Sequence, residues 1–349
     1  MCGRYALGRR HADIQALDGY NVHVAEWINP NRFIPRYNIA PRSNAPVVRR
    51  MVATPAPEQS TSSSPSVESD ELVMHTMRWG LVPHWSKRED KSLSTTNARA
   101  ENLVEGHGMW NSIKGKKRCV VPCDGYYEWL KKGKERLPHF TRREDGKLML
   151  LAGLYDCATL EGESEPLWTF TIVTTAANSE FSWLHDRQPV ILSSHDAVVR
   201  WLDTSSQTWT KELTDLVRPY HDEFVPLTCY QVPKEVGKVG TESPTFIQPI
   251  TERKDGIQAM FAKQSAQGAK SSQPGSQYKA PKRSRSPSPN GQDKSQTLEN
   301  TPKKKVRVEK MDTWEDNPDI EYLDEPPSSQ PVSANLRMSK TYSLTVVLN

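Results

Sequence analysis

The sequence predicts an α+β domain whose mostly antiparallel sheet is curled into a barrel-like shape, with a few flanking helices and a disordered C-terminal tail. Two observations lead to this prediction. Short strand patterns outnumber helical patterns across the first 250 residues. Beyond residue 264 the composition shifts to Gln, Ser, Pro and Lys with few aromatic residues, which is typical of chains that bury too little apolar surface to fold.

Four segments carry the strand signals. Residues 168–173 alternate large apolar side chains with Thr and Val, which is typical of a half-buried strand. The apolar runs at 148–154, 118–121 and 190–192 have the length of buried strands. Many short strands in one domain favour a curled antiparallel sheet over a helical bundle.

Helical patterns cover residues 195–202 and 206–217. Residues 53–71 are rich in Ser, Pro and acidic side chains and lack periodicity, so we expect a long disordered loop inside the domain. The sequence thus predicts one domain over residues 2–254 and a disordered basic tail over residues 264–349.

The charged residues are unevenly distributed. Residues 1–250 carry 30 basic and 30 acidic side chains, whereas residues 251–349 carry 16 basic and 12 acidic ones, so the net charge of +4 comes from the tail. Any site for a polyanion on the folded part must therefore be a local patch. Two basic runs in the tail, 281–285 and 301–307, resemble nuclear-localisation sequences and predict a nuclear protein.

No apolar run approaches the roughly 20 residues that span a bilayer. The N-terminus also lacks the apolar stretch of a signal peptide. We therefore expect a soluble intracellular protein without a membrane partner. Its five cysteines are sparse, and the pair Cys119 and Cys123 is not followed by a second pair, so the sequence predicts no zinc site or other metal site.

The chain begins Met1-Cys2-Gly3, and a small second residue permits removal of the initiator methionine. Cys2 would then carry a free α-amine with a pKa near 8, so about a tenth of it is neutral near pH 7. Such an amine attacks aldehydes to form an imine. The Cys2 thiol can add to that imine and close a five-membered thiazolidine ring, a step that proximity favours.

Eight segments in a fixed order carry a resemblance to a known family. They are MCGRYA at 1–6, RYNIAP at 36–41, RWGLVPHW at 78–85, TTNARAE at 95–101, RCVVPCDGYYEW at 118–129, AGLYD at 152–156, HDRQPVIL at 185–192 and ESPTFIQPI at 242–250. In this order they resemble the SOS-response-associated peptidase (SRAP) family over roughly residues 2–250. The chain departs from the family pattern in its insertion at 53–71 and in Gln188, where many relatives carry methionine.

The resemblance implies four catalytic residues. Cys2 is the nucleophile, Asn97 holds the N-terminus by side-chain hydrogen bonds, and Glu128 is the acid–base carboxylate. His185 is the histidine near the sugar. A carboxylate beside the α-ammonium would also hold its charged form, so we expect Glu128 to be partly buried with its basicity raised.

The resemblance also implies DNA-binding residues. Arg99 corresponds to an arginine that contacts backbone phosphate, and Arg4 corresponds to an arginine at the DNA groove. Trp79 and Trp85 lie in the segment that lines this groove. Exposed aromatic side chains stack on bases of single strands whatever the sequence. Among the aromatic residues of this region, Trp85 is the one we expect to stack.

The activity implied is covalent capture of abasic sites in single-stranded DNA, which shields the lesion during repair. The resemblance also implies a peptidase-like self-cleavage that removes Met1, together with lyase-type chemistry, and it implies no cofactor. Two alternatives remain open. One is a cysteine peptidase that uses Cys2, His185 and Glu128 on other proteins, which would need an oxyanion hole. The other is a non-covalent reader of modified bases in duplex DNA.

Residues 255–263 form a pattern that allows a short amphipathic helix, with Ile257, Met260 and Phe261 on one side. The pattern resembles motifs that dock on replication sliding clamps. A helix that merely ends the domain is the alternative interpretation, and the sequence favours it.

Overall fold

The computed structural model describes residues 2–51, 71–90 and 92–252. The tail over 264–349 with its two basic runs and the segment 255–263 lie outside the described residues, and so does the insertion at 53–71 apart from Glu71.

The described residues form strands and short helices in the following order. The strands are β1 (Arg4–Leu7), β2 (Trp27–Ile28), β3 (Arg36–Ile39), β4 (Asn44–Arg50), β5 (Leu72–Trp79), β6 (Asn97–Arg99), β7 (Arg118–Cys123), β8 (Gly125–Lys132), β9 (Glu135–Arg143), β10 (Met149–Ala158), β11 (Leu167–Ala176), β12 (Arg187–Pro189) and β13 (Leu227–Gln231). The α-helices are α1 (His11–Ala16), α2 (Ala100–Glu105), α3 (His195–Leu202) and α4 (Lys211–Leu216). Short 3-10 helices cover Pro30–Arg32, Gly108–Ser112, Lys234–Gly237, Pro244–Ile247 and Ile250–Glu252.

Five strands close into a barrel. They lie in the order β11-β10-β7-β4-β5 with antiparallel neighbours, and β5 pairs back onto β11 in parallel at Thr169–Arg78 and Phe170–Trp79. Because the β5–β11 pairing closes the ring, each of the five strands has a paired neighbour on both sides. Of the short strands, β2 pairs with β5, and β6 and β12 pair with β11. The predicted α+β fold with a curled, barrel-like sheet is confirmed.

A second, antiparallel sheet has the order β13-β9-β8-β1-β3. Because side chains alternate between the two faces of a strand, it buries two different clusters. One face joins the barrel core through Tyr5, Leu7, Ile39 and Tyr126. The other face builds a smaller cluster that contains Ala6, Tyr127, Phe140, Val232, Val236 and Phe246. Glu128, two residues after Tyr126, belongs to the face that looks at the barrel.

Three of the four predicted strands are observed, as β7, β10 and β11. The strand predicted at 190–192 was wrong. The chain instead pairs with β11 at Arg187–Pro189 and then crosses to β10, where Ile191 forms an isolated bridge with Leu151. Residues 187–191 therefore pair first with β11 and then with β10. The apolar run at 190–192 gives no indication of this change of partner.

The helix predicted at 195–202 is α3, capped by the Ser194 side chain, which accepts a hydrogen bond from the Ala197 N–H. The helix predicted at 206–217 is shorter. Gln207 has a left-handed backbone with φ of 52°, which no α-helix accommodates. Thr210 then caps the helix by accepting a hydrogen bond from the Leu213 N–H. Among the described residues, no helix has the length and apolarity to cross a lipid bilayer.

Candidate active site

Strand pairing brings the N-terminus to β8. Strand β1 lies between β3 and β8, with Arg4 opposite Tyr127 and Tyr5 opposite Tyr126. Cys2 precedes β1, so the antiparallel register carries it toward Glu128, the residue after Tyr127. The negative charge of Glu128 is close enough to perturb the Cys2 thiol.

Asn97 fastens Cys2 from the barrel side. It is the first residue of β6, which pairs in parallel with β11, and its Nδ2 donates to the main-chain carbonyl of Cys2 at 3.0 Å. The Oδ1 of the same amide is buried and accepts no hydrogen bond from the part of the chain that the structure describes. A buried acceptor without a partner costs stability, so one acceptor site is open beside the main chain of Cys2.

Glu128 and His185 form the acid–base pair of the site. His185 Nε2 lies 4.0 Å from Glu128 Oε1. The Glu128 side chain is only 7% exposed and that of His185 is 25% exposed, so the pair is reached from the His185 side. The burial that the sequence analysis expected for Glu128 is confirmed.

Two contacts compete for the other ring nitrogen of His185. The Arg187 N–H lies 2.9 Å from Nδ1, and the Asp186 carboxylate lies 2.7 Å from the same atom. One tautomer cannot satisfy both, because Nδ1 accepts in the first contact and donates in the second. The Asp186 carboxylate is 84% exposed, so solvent can satisfy it, and we therefore assign the backbone bond. In the neutral ring Nε2 then carries the hydrogen and faces Glu128.

Burial sets the charge state of the site. It raises the pKa of the Cys2 thiol to about 12, and the negative charge of Glu128 adds to the rise. Burial also lowers the pKa of His185, because the interior disfavours the imidazolium form. Near pH 7 the site therefore holds a neutral thiol and a neutral imidazole beside Glu128.

Cys2 has no exposed surface in this structure. Met1 precedes Cys2 in the sequence, so the Cys2 nitrogen belongs to an amide. Loss of the preceding residue is needed before that nitrogen can act as an amine.

Two of the four predicted DNA-binding residues are accessible. Arg99 is exposed at the end of β6, two residues after Asn97. Trp85 is 53% exposed. Its neighbour His84 contacts it edge-on at 4.7 Å and is anchored through Nδ1 to the buried Asp156 carboxylate at 2.9 Å. The loop that carries Trp85 is thus fixed to β10.

The structure does not bring Arg4 and Trp79 to the surface. Arg4 is 6% exposed, and its guanidinium donates to Asn38 Oδ1 and to the Val236 carbonyl, each at 2.9 Å. Trp79 is completely buried and donates from Nε1 to the Thr96 carbonyl at 2.9 Å. Both side chains support the fold here, because the sheet pairing turns them inward.

Two further residues near this pair were not predicted from the sequence. His139 lies directly opposite Glu128 in the β8–β9 register. Trp183 packs edge-on against His139, with ring centroids 5.3 Å apart, and remains half exposed. Trp183 stands two residues before His185, just outside the segment that carried the family resemblance. A hairpin with its turn at Gly133 pairs Glu128 with His139, so the turn signal could have indicated His139.

The fold and the site define a class of protein. It is a barrel domain that holds the second residue of its own chain, Cys2, near the carboxylate of Glu128 and the imidazole of His185. A family model described as SOS response associated peptidase (SRAP) matches residues 1–239. The chain belongs to this family.

Several relatives align with most of the described residues. The chain is 37% identical to abasic site processing protein YMR114C of Saccharomyces cerevisiae over 260 residues, which cover 72% of this chain and 68% of that protein. It is 31% identical to abasic site processing protein HMCES of Gallus gallus, over 72% of this chain and 78% of that protein. A Bacteroides thetaiotaomicron crystal structure aligns with a TM-score of 0.54 at 25% identity, over 71% of this chain and 99% of that one.

Proposed function

We propose that this chain captures abasic sites in single-stranded DNA by a covalent bond to Cys2 and thereby shields the lesion during repair. The observation that carries the proposal is the grouping of Glu128 and His185 beside a Cys2 whose carbonyl is held by Asn97. Relatives with the name abasic site processing protein support the choice of substrate.

The first step is removal of Met1 by the protein itself. The Cys2 thiol attacks the Met1 carbonyl carbon, the peptide C–N bond breaks, and the resulting thioester is hydrolysed by water. Methionine leaves and Cys2 keeps a free amine and a free thiol. A thiol with a pKa of about 12 needs a base for this attack, and Glu128, whose charge acts on this thiol, would accept its proton.

The second step is capture of the sugar aldehyde. The α-amine of Cys2 adds to the aldehyde carbon and water leaves, which gives an imine. The thiol sulfur then adds to the imine carbon while its proton moves to the nitrogen, which closes the thiazolidine ring. Because the two nucleophiles belong to one residue, the second addition is intramolecular and favoured.

Asn97, Glu128 and His185 have separate roles in this step. The open Oδ1 of Asn97 can accept a hydrogen bond from the new α-amine and hold it in place. An abasic deoxyribose is mostly a closed hemiacetal, and ring opening requires proton transfer. His185, neutral near pH 7 and a quarter exposed, is placed to perform it with Glu128 behind it.

DNA would reach the site across Arg99 and Trp85, which are both exposed. The arginine would contact phosphate and the indole would stack on a base. A nuclear location and docking of residues 255–263 on a sliding clamp remain proposals that rest on the sequence alone.

The test is incubation of the purified protein with single-stranded DNA that bears one abasic site. We expect a heat-stable shifted band for the wild type and none for Cys2→Ala. Cys2→Ser keeps the amine but closes an oxazolidine, so its adduct should decay faster than the wild-type adduct. Cys157→Ala, which removes a half-buried thiol elsewhere, is the matched control and should behave as wild type.

Equal bands for wild type and Cys2→Ala would refute capture by Cys2. Unimpaired binding by Cys2→Ala together with a preference for duplexes that carry a modified base would favour the non-covalent reader. Hydrolysis of added peptides that depends on Cys2 would favour a peptidase that acts on other proteins.

A further inference from the structure

Trp183 is an exposed aromatic residue in a well-anchored turn. Its side chain is 50% exposed, whereas Phe181 and Leu184 of the same turn are buried. The Phe181 N–H donates to Asn178 Oδ1 at 3.0 Å, and Asn178 Nδ2 donates to the Tyr220 carbonyl at 2.8 Å. The indole is thus presented by a fixed turn and not by a loose loop.

The position of Trp183 ties it to the reacting groups. Its ring packs edge-on against His139, which lies across from Glu128 on β9. His185, two residues further along the turn, approaches Glu128 within 4.0 Å. The half-exposed indole therefore packs on the residue that pairs with Glu128 and stands two residues before His185 in the chain.

We infer that Trp183 is the stacking platform for the base next to the abasic nucleotide, an inference that rests on the proposed capture function. A nucleotide without its base leaves its neighbour with one unstacked face. An indole beside the reacting groups can replace the missing stacking partner. Stacking there would seat the lesion with its aldehyde toward Cys2, and it would favour purine neighbours, which have the larger π-surface.

A purely structural role for Trp183 makes a different prediction. If the indole only supports His139 and the Glu128 side chain, its loss alters the reaction at saturating DNA. If it binds a base, its loss alters affinity and leaves the saturating rate unchanged. Separate measurement of affinity and rate therefore distinguishes the two roles.

The experiment uses the full chain and single-stranded DNA that contains a tetrahydrofuran abasic analogue, which lacks the aldehyde and reports binding alone. We expect Trp183→Ala to weaken binding by about 5-fold to 150-fold, the range for one base–aromatic stack. Trp183→Phe should retain most of the affinity. Phe224→Ala is the matched control: Phe224 is 95% exposed and precedes β13, whose first residue pairs with Arg143 and not with His139. It should bind as wild type.

Two further readings complete the test. Wild type should bind analogue DNA with purine neighbours more tightly than DNA with pyrimidine neighbours, and Trp183→Ala should lose this difference. If Trp183→Ala binds the analogue DNA as tightly as the wild type, the inference is overturned. A slower cross-linking rate at saturating DNA with that unchanged affinity would assign Trp183 a purely structural role. Failure of the proposed function has its own signature, because the wild type would then form no cross-link with aldehyde-bearing abasic DNA whatever residue stands at 183.

Discussion

The proposed reactivity of Cys2 depends on conversion of its nitrogen from an amide to an amine. In the unprocessed chain the nitrogen is an amide and the thiol is buried, with a pKa of about 12. On the proposed loss of Met1 the same atoms would form a 1,2-aminothiol whose amine is the better nucleophile near neutral pH. The proposed reactions would need a proton acceptor for the first step and a proton shuttle for the second, and we assign these roles to Glu128 and His185.

The lowered pKa of His185 leads to a prediction about pH. Burial disfavours imidazolium, so the neutral ring persists to a lower pH than the ordinary value of about 6.5. We expect the ratio of wild-type to His185→Gln cross-linking rates to stay constant from pH 8 to pH 6.5 and to fall only below that. Taking the ratio cancels the titration of the α-amine, which both proteins share. A midpoint for this fall above pH 6.5 would contradict the assignment of a desolvated His185.

At the scale of elements, the site depends on how β8 packs between β1 and β9. Glu128 faces the barrel because it is an even number of residues from Tyr126, and Arg4 faces away because it pairs with Tyr127. Gly125 is the first residue of β8 and lies close to the backbone of β9. A Cβ there would lie 2.4 Å from the Thr141 carbonyl oxygen on β9, which is backbone and cannot rotate away.

Gly125→Ala should therefore force β8 and β9 apart. We expect a loss of about 1–3 kcal/mol in the free energy of unfolding, as for other overpacked sites, together with slower cross-linking because Glu128 lies three residues along the same strand. Urea unfolding monitors the first effect. Gly237→Ala is the control, since its Cβ would meet nothing closer than 3.8 Å, and it should change stability by no more than about 0.5 kcal/mol. Equal stabilities of the two variants would show that β8 and β9 tolerate the extra atom.

Elements with a clear pattern could be predicted from the sequence. The strand β11 follows from apolar alternation, the strands β7 and β10 follow from short apolar runs, and the helix α3 follows from its helical pattern. Grouping of Cys2, Asn97, Glu128 and His185 followed from the family resemblance alone, since they lie far apart in the chain. The inward direction of Arg4 and Trp79 could not be predicted, because the face of a side chain depends on which strands pair.

At the scale of the molecule, the site joins two separate sheets. Asn97 belongs to the barrel through β6 and β11, whereas Cys2 and Glu128 belong to the second sheet through β1 and β8. The hydrogen bond from Asn97 to the Cys2 carbonyl spans that junction. The placement of Cys2 thus depends on both sheets and not on one motif.

Asn97→Ala tests this arrangement. The variant loses one hydrogen bond, worth about 0.5–1.5 kcal/mol, but it also loses an unsatisfied buried acceptor, so the two effects largely offset in stability. We expect a thermal midpoint close to wild type and a clearly slower cross-linking rate. The Ser112→Ala exchange, on an exposed 3-10 helix, controls for the handling of a variant protein. A wild-type rate in Asn97→Ala would show that the amide does not position Cys2.

The most direct test of the central claim is to find where in the chain the DNA becomes attached. Protein that has been cross-linked to abasic single-stranded DNA is digested with nuclease and protease, and the masses of the peptides are measured by mass spectrometry. We predict that the sugar remnant lies on a peptide that begins with Cys2 and lacks Met1, with a mass that shows loss of one water. A remnant on a lysine elsewhere, or on a peptide that still begins with Met1, would contradict capture by the free N-terminal cysteine.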